Sequence, residues 1–192
     1  MSFARCAWFN APEVWHLEDG RLRVVTDTRT DFWRETHYGF TRDNGHFFGC
    51  QVEEAFTAQL RVRARYDALY DQAGIMVRLD PENWIKAGIE SSDNQALLSS
   101  VLTVGRSDWA TARYDGDPAD FWMRVSVGGG AVRVQVSPDG RRWPLVRLAP
   151  FPKAASYRVG PMCCTPERAG LEVEFSAFAV TPPLGKDLHD LT

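Results

Sequence analysis

At 192 residues, with 22 basic and 25 acidic residues and a formal net charge of −3, the chain has the size of one all-β domain that can bury a core without staples. Its charges are interspersed with no run of either sign, which argues against a nucleic-acid or membrane surface as the main partner. No window is apolar enough for a signal peptide or a membrane span, so a cytoplasmic protein is expected.

Residues 8–15 read as an irregular opening segment. A first strand pair follows on either side of Asp19-Gly20, a two-residue hairpin signal. Residues 30–40 (TDFWRETHYGF) are aromatic and polar but short of aliphatics, a poor core strand and therefore a candidate strand or loop for function. Residues 47–54 and 56–66 continue the strand series. In the second, Phe56, Ala58, Leu60, Val62 and Ala64 alternate with polar residues as in a half-buried strand.

Residues 70–90 (YDQAGIMVRLDPENWIKAGIE) form the central pattern, two strands and a turn. Ile75, Val77 and Leu79 mark one apolar face, and Ile85, Ala87 and Ile89 the matching face of the second strand. Partners that share a face must have numbers with an even sum. A sum of 164 would oppose Arg78 to Lys86, like charge to like, so 162 is expected. Gln72 then faces Glu90, Gly74 faces Gly88, Met76 faces Lys86 and Arg78 faces Trp84. The two glycines are expected to leave room for something to approach the backbone.

Residues 99–109 give another strand ending in a loop at Ser107-Asp108-Trp109. Residues 121–127 and 131–136 flank a Gly128-Gly129-Gly130 turn, and Ser137-Pro138-Asp139-Gly140 is a turn by its own chemistry. Strands are expected over 143–148, 157–162 and 170–180, then a tail over 184–192 with at most one frayed helical turn. The sum is an all-β fold, a two-sheet antiparallel jelly-roll sandwich, in a single domain spanning 1–192 with its core at about 8–180. Cys6, Cys50, Cys163 and Cys164 fit neither a disulfide framework nor a zinc spacing and read as reduced structural thiols. No metal and no cofactor are expected.

The central pattern, the preceding TDFWRETHYGF and the later Ser107-Asp108-Trp109 together resemble a bacterial and fungal family that includes the yeast regulation-of-enolase protein. The resemblance covers roughly residues 8–180. It implies the concanavalin A-like lectin and glucanase fold, with one sheet bent so that its concave face can hold a carbohydrate. It supplies no catalytic mechanism: glucanases of that superfamily carry acidic residues at alternating strand positions, and residues 84–90 contain Glu90 alone. The segment SPDGRRW at 137–143 is similar to a turn in sugar-associated sandwich domains.

The leading expectation is a binding protein for a saccharide or small polyhydroxylated metabolite. Gln72, Lys86 and Glu90 would hold hydroxyls, with Arg78 and Trp84 near the turn; a salt-bridged solvent face is the plain alternative. Lys86 and Glu90 lie ~13 Å apart along the strand and cannot pair directly. Trp33, Glu35 and His37 would share one strand face and Arg34 the other, so Trp33 could stack on a sugar while His37 or Arg34 takes a hydroxyl. Trp109 is read as a ligand contact, Asp108 as a turn cap, and Asp71 as ambiguous between the two. Lys86→Ala and Glu90→Ala are expected to abolish binding with little loss of stability. An alternative is a sugar-processing enzyme with Glu90 as acid or base and Lys86 or His37 as its partner. Another is a module that binds and regulates a metabolic enzyme. Glu172 and Glu174 are a weaker carboxylate pair, and Asp115, Asp117 and Asp120 a weak calcium loop.

Overall fold

The structure, a computed structural model, describes residues 2–192. Period-2 alternation with tight turns yields two stacked seven-stranded antiparallel sheets. The front sheet runs β1 (Ala7–Phe9), β6 (His46–Glu53), β15 (Ser156–Cys164), β8 (Gln72–Asp80), β9 (Asn83–Ser92), β10 (Gln95–Val104), β11 (Arg106–Ala112). The back sheet runs β14 (Leu145–Pro150), β13 (Ala131–Ser137), β12 (Asp120–Gly128), β7 (Phe56–Ala64), β16 (Glu172–Thr181), β3 (Arg21–Val25), β2 (Val14–Glu18). A small hairpin, β4 (Phe32–Arg34) with β5 (Thr41–Asp43), stands apart from both. Among the described residues no helix is long and apolar enough to cross a membrane.

The sheets enclose one apolar cluster. Ile75, Val77, Ile85, Ala87 and Ile89 from the front meet Leu60, Val62, Phe121, Met123, Val125 and Phe175 from the back. Each such large side chain stabilises the fold by ~1.5–3 kcal/mol on burial. Turn chemistry sets the hairpins. Asp19 and Gly20 both take positive φ (49° and 71°), and so do Gly129 and Gly130 (63° and 84°), the primed geometry that matches strand twist. The unforeseen β9–β10 turn does the same with Asp93 and Asn94.

The central register is the one expected: Gln72 opposes Glu90, Gly74 opposes Gly88, Met76 opposes Lys86 and Arg78 opposes Trp84. Other expectations are corrected. Residues 107–109 are not a loop: the chain turns at Gly105 (φ 73°) and re-enters as β11, with Trp109 opposite Val101. Asp108 therefore caps nothing and pairs with Arg147 at 2.6 Å. Residues 184–192 hold a single i→i+3 turn, Asp190 N–H to the Asp187 carbonyl at 3.1 Å, as the sequence allows; their carbonyls at Asp187, Leu188 and Asp190 accept from Arg133, which lays the segment against the back sheet.

The largest difference is a third layer. The outward face of the front sheet is not open, because the β4–β5 hairpin lies over it. Phe32 and Trp33 pack with Phe47, Met76, Trp84, Val101, Met162 and Cys164 in a second apolar cluster. The hairpin is not the extended strand read from residues 30–40. Beyond Arg34 its tip alternates through positive φ at Glu35, His37 and Gly39 (58°, 61° and 71°), and Glu35 N–H closes it on Phe40 O at 2.8 Å. Strand alternation is lost there, so Trp33, Glu35 and His37 share no strand face.

The glycine pair is likewise put to a different use. A Cβ on Gly74 would lie 1.9 Å from the Ala87 carbonyl oxygen, and one on Gly88 2.0 Å from that of Ala73. The room is taken by the adjacent strand itself, as in a sheet bent on purpose by glycine. Backbone cannot yield as a side-chain tip can. Gly74→Ala is therefore expected to cost at least ~2–3 kcal/mol, or about 4–12 °C in melting temperature at ~2–4 °C per kcal/mol. Thermal unfolding followed by circular dichroism checks this.

Candidate functional site

Two ion pairs seat the hairpin. Lys86 Nζ donates to Asp31 Oδ1 at 2.9 Å, the lysine buried and the carboxylate half-buried. Arg78 forms a bidentate pair with Asp43, 2.8 Å at each contact, and its guanidinium lies over the Phe9 ring. Arg34 fastens the far side, donating from its amide to Ser107 Oγ at 2.9 Å, from Nε to the Gly105 carbonyl at 2.9 Å, and to Glu82 at 2.8 Å. The charged side chains that look solvent-facing in sequence are thus spent on holding the cover down.

Between cover and sheet a cavity of about 170 Å³ remains. Its polar floor is Gln72, Lys86 and Glu90, with Val101 beside them, and its walls include Trp33, Tyr38, Phe40, Tyr70 and Trp109. Asp31, Arg42, Pro166 and Glu167 complete it. Tyr38 stacks on Phe40 and meets Trp33 edge-on, while Tyr70 meets Trp109 edge-on. The two groups touch where the Tyr38 and Tyr70 hydroxyls lie 3.3 Å apart. That contact, chiefly, pushes the Tyr70 hydroxyl up to about 12. Tyr70 itself sits at φ 63°.

The floor holds unused hydrogen-bonding capacity. Glu90 is 6% exposed, and both of its hydrogen bonds, from Ser99 Oγ at 2.5 Å and Trp109 Nε1 at 3.1 Å, fall on Oε2. Oε1 has no protein partner among the described residues. Lys86 uses one of its three donors, on Asp31. Gln72 donates from Nε2 to the Tyr70 carbonyl and leaves its own oxygen to the cavity. Burial, above all, raises the Glu90 carboxyl above its ordinary 4.5, against the lowering effects of Lys86 and Ser99. Lys86 is held above its ordinary range by Asp31, which outweighs desolvation together with its other acidic neighbours.

Of the residues singled out in sequence, the structure brings Trp33, Gln72, Lys86, Glu90 and Trp109 to the cavity. It places the others elsewhere. Trp84 is 1% exposed within the second cluster and donates to the Pro81 carbonyl. Asp71 is fully buried, paired with Arg168, and accepts the Asp67 and Ala68 amides, so it closes a turn. Arg34 is a hairpin anchor. His37 is exposed at the tip with its ring edge-on to Tyr38. Glu174 pairs with Arg23 and Arg63 on the back sheet. Asp120 binds Arg61 and Arg63, and Asp117 caps Ala119. No group of three or more His, Cys, Asp or Glu among the described residues could hold a metal ion. Sequence reasoning missed Asp31, Tyr38, Phe40, Arg42, Tyr70 and Glu167. Tyr38 and Phe40 lay within the aromatic stretch already suspected, hidden by an assumed strand alternation.

A roomier groove of about 310 Å³ lies on the back sheet beside residues 183–192. Its Arg124 is committed to Gln59, the Thr192 carbonyl and the face of Trp143. The aromatic walls and unpartnered carboxylate oxygen make the smaller cavity the candidate site.

Comparison with known proteins agrees with the architecture. Residues 8–183 match the family described as "Protein of unknown function (DUF1349)". Regulation of enolase protein 1 from Saccharomyces cerevisiae is 60% identical over 185 residues, 96% of this chain and 93% of that protein. A crystal structure of a functionally unknown protein from Saccharomyces cerevisiae superposes with a TM-score of 0.95 at 58% identity, covering 96% of this chain and all (100%) of that one. Fold likeness extends to a GH43 protein from Bacillus licheniformis, TM-score 0.69 at 14% identity, where 90% of this chain covers 35% of the other. It also reaches the exoplasmic/lumenal domain of VIP36 in a calcium- and glycan-bound form, TM-score 0.54 at 9% identity, covering 97% of this chain and 87% of that domain. The chain belongs to the DUF1349 family, and its fold is the concanavalin A-like sandwich.

The seat of the hairpin revises what Lys86→Ala should do. It takes the cation from the half-buried Asp31 carboxylate, which is left with the Phe32 amide, so a loss of ~1–3 kcal/mol is expected, and Asp31→Leu combined with Lys86→Met should recover much of it in denaturant unfolding. Glu90 has the opposite sign. Because its folded-state carboxyl lies above 4.5, the folded chain binds the proton more tightly than the unfolded chain, and stability is lost as pH rises above that value. Glu90→Gln removes this loss. The variant is expected to be at least as stable as the parent at pH 7 and to unfold with a flatter pH profile; a marked loss of stability at pH 7 would contradict it.

Proposed function

We propose that the chain is a binding protein for a small polyhydroxylated ligand, a monosaccharide-sized molecule or a terminal sugar unit, held in the cavity under the β4–β5 hairpin. The observation that carries this is the floor, where Glu90, Lys86 and Gln72 present unused acceptors and donors beneath aromatic faces. Aromatic faces suit the C–H face of a sugar ring, and the carboxylate, amide and ammonium suit its hydroxyls. At about 170 Å³ the cavity falls below the ~300–1,000 Å³ of sites for drug-sized ligands, which selects one ring rather than a chain.

A second reading takes its support from the 60% identity to a protein named Regulation of enolase protein 1: the chain acts on a metabolic enzyme as its protein partner. The two readings separate experimentally. Capture of such a partner that is unaffected by Glu90→Gln favours the second and places the interface away from the cavity.

The first reading is tested by thermal shift with sugars and polyols at roughly 10 mM. A ligand of ~0.1 mM dissociation constant stabilises by ~2.7 kcal/mol, a rise of about 5–11 °C at ~2–4 °C per kcal/mol. Trp109→Ala and Glu90→Gln are expected to remove the shift. Lys86→Ala is unsuitable, since it frees the hairpin. No shift across the panel would overturn the reading.

A further inference from the structure

The cavity carries a charge imbalance that narrows its ligand. Asp31, Glu90 and Glu167 line it against Lys86 and Arg42. Lys86 is matched by Asp31 at 2.9 Å, and Arg42 lies over the Phe40 ring. The remaining deep charge is Glu90, 6% exposed, bonded only by the neutral donors of Ser99 and Trp109 and with Oε1 unpartnered. An anionic ligand would meet the Glu90 carboxylate as a like charge. A neutral hydroxyl would satisfy Oε1 but leave the buried carboxylate with only Lys86, already paired with Asp31, as a counter-charge.

The walls point the same way. Trp33, Tyr38, Phe40, Tyr70 and Trp109 form two aromatic groups joined through the Tyr38 and Tyr70 hydroxyls. Aromatic faces attract cations through their quadrupoles, and enclosing cages are a recurrent means of binding ammonium groups. We propose that the ligand carries a protonated amine, which pairs with Glu90 Oε1 inside this aromatic enclosure; for a sugar ligand this means an amino sugar. The inference rests on the reading that this cavity is the binding site. The ammonium supplies a direct counter-charge at Oε1, which draws the Glu90 carboxyl down from its raised position when the ligand is bound.

The test is isothermal titration of the full chain with glucosamine, glucose, glucuronate and propylammonium, in buffer below the sugar amine's own pKa. Glucosamine is expected to bind at least about tenfold more tightly than glucose, which corresponds to ~1.4 kcal/mol, and glucuronate to bind more weakly than either. Glu90→Gln should bring glucosamine and glucose within about twofold of each other, and Trp109→Ala, at a half-exposed wall position, should weaken the preference. Thermal unfolding of both variants confirms that they are folded. Equal binding of glucose and glucosamine by the parent overturns the amine inference and leaves the polyol reading standing. Binding of propylammonium without any sugar supports the amine and overturns the polyol reading. Silence from all four ligands overturns the inference, and a neutral-sugar shift in the wider panel then decides the cavity reading separately.

Discussion

The ion pair between Lys86 and Asp31 is the constraint on which the rest of the site depends. Lys86 projects from the outward face of the central hairpin, a position that would reach water if the front sheet had no cover. Asp31 precedes β4 and Asp43 ends β5, so Lys86 and Arg78 hold the small hairpin by its two roots. A buried ion pair adds little net stability over apolar packing, but removing one partner is costly, so it favours one seat over all others. The burial of Phe32, Met76, Trp84 and Met162 supplies the attraction between hairpin and sheet, and the charges define where it acts.

That choice of partner isolates Glu90. Four residues along the same strand from Lys86, it gains no ion pair of its own and is left with a hydroxyl and an indole. A fold selected for stability alone would replace such a group, since a buried carboxylate without a counter-ion favours the protonated state and weakens the native structure at neutral pH. Its placement beside aromatic walls is a local inconsistency of the kind that motivates reading the cavity as a candidate site. The same geometry separates two positions that look alike in sequence: Lys86 holds the hairpin down, and Glu90 turns an unpartnered oxygen toward the cavity.

Much of the fold was legible because antiparallel sheets write their rules locally. The central register followed from alternation and from the cost of opposing Arg78 to Lys86, and Asp19-Gly20 announced its turn. The cover was not legible. Arg78, Trp84 and Lys86 form a mixed face that in sequence is indistinguishable from a wet one, and their burial depends on Asp31 and Asp43, more than thirty residues away in the chain. Residues 30–40 were suspected for their aromatics, yet the strand rule assigned their faces wrongly because Glu35, His37 and Gly39 take positive φ. Glu90 lines the cavity since its own strand fixes its direction; His37 does not, since a tip conformation fixes it. The glycines were seen to need space, but only the folded backbone reveals that the Ala87 and Ala73 carbonyls fill it.

The scaffold and the site have separate physical origins. A likeness of 14% or 9% identity to a GH43 protein and to VIP36 concerns the two sheets, and a shared sandwich fixes no chemistry by itself. A long polymer laid across a concave sheet needs that face open. Here the β4–β5 hairpin occupies it, and Met76 and Trp84 at its centre are sealed from solvent. What is left is enclosed by Trp33 and Tyr38 above and by Lys86 and Glu90 below. The hairpin therefore occupies the face along which a glycan would lie lengthwise, and what remains open beside it is the cavity of about 170 Å³ lined by the hairpin tip and Trp109 of β11.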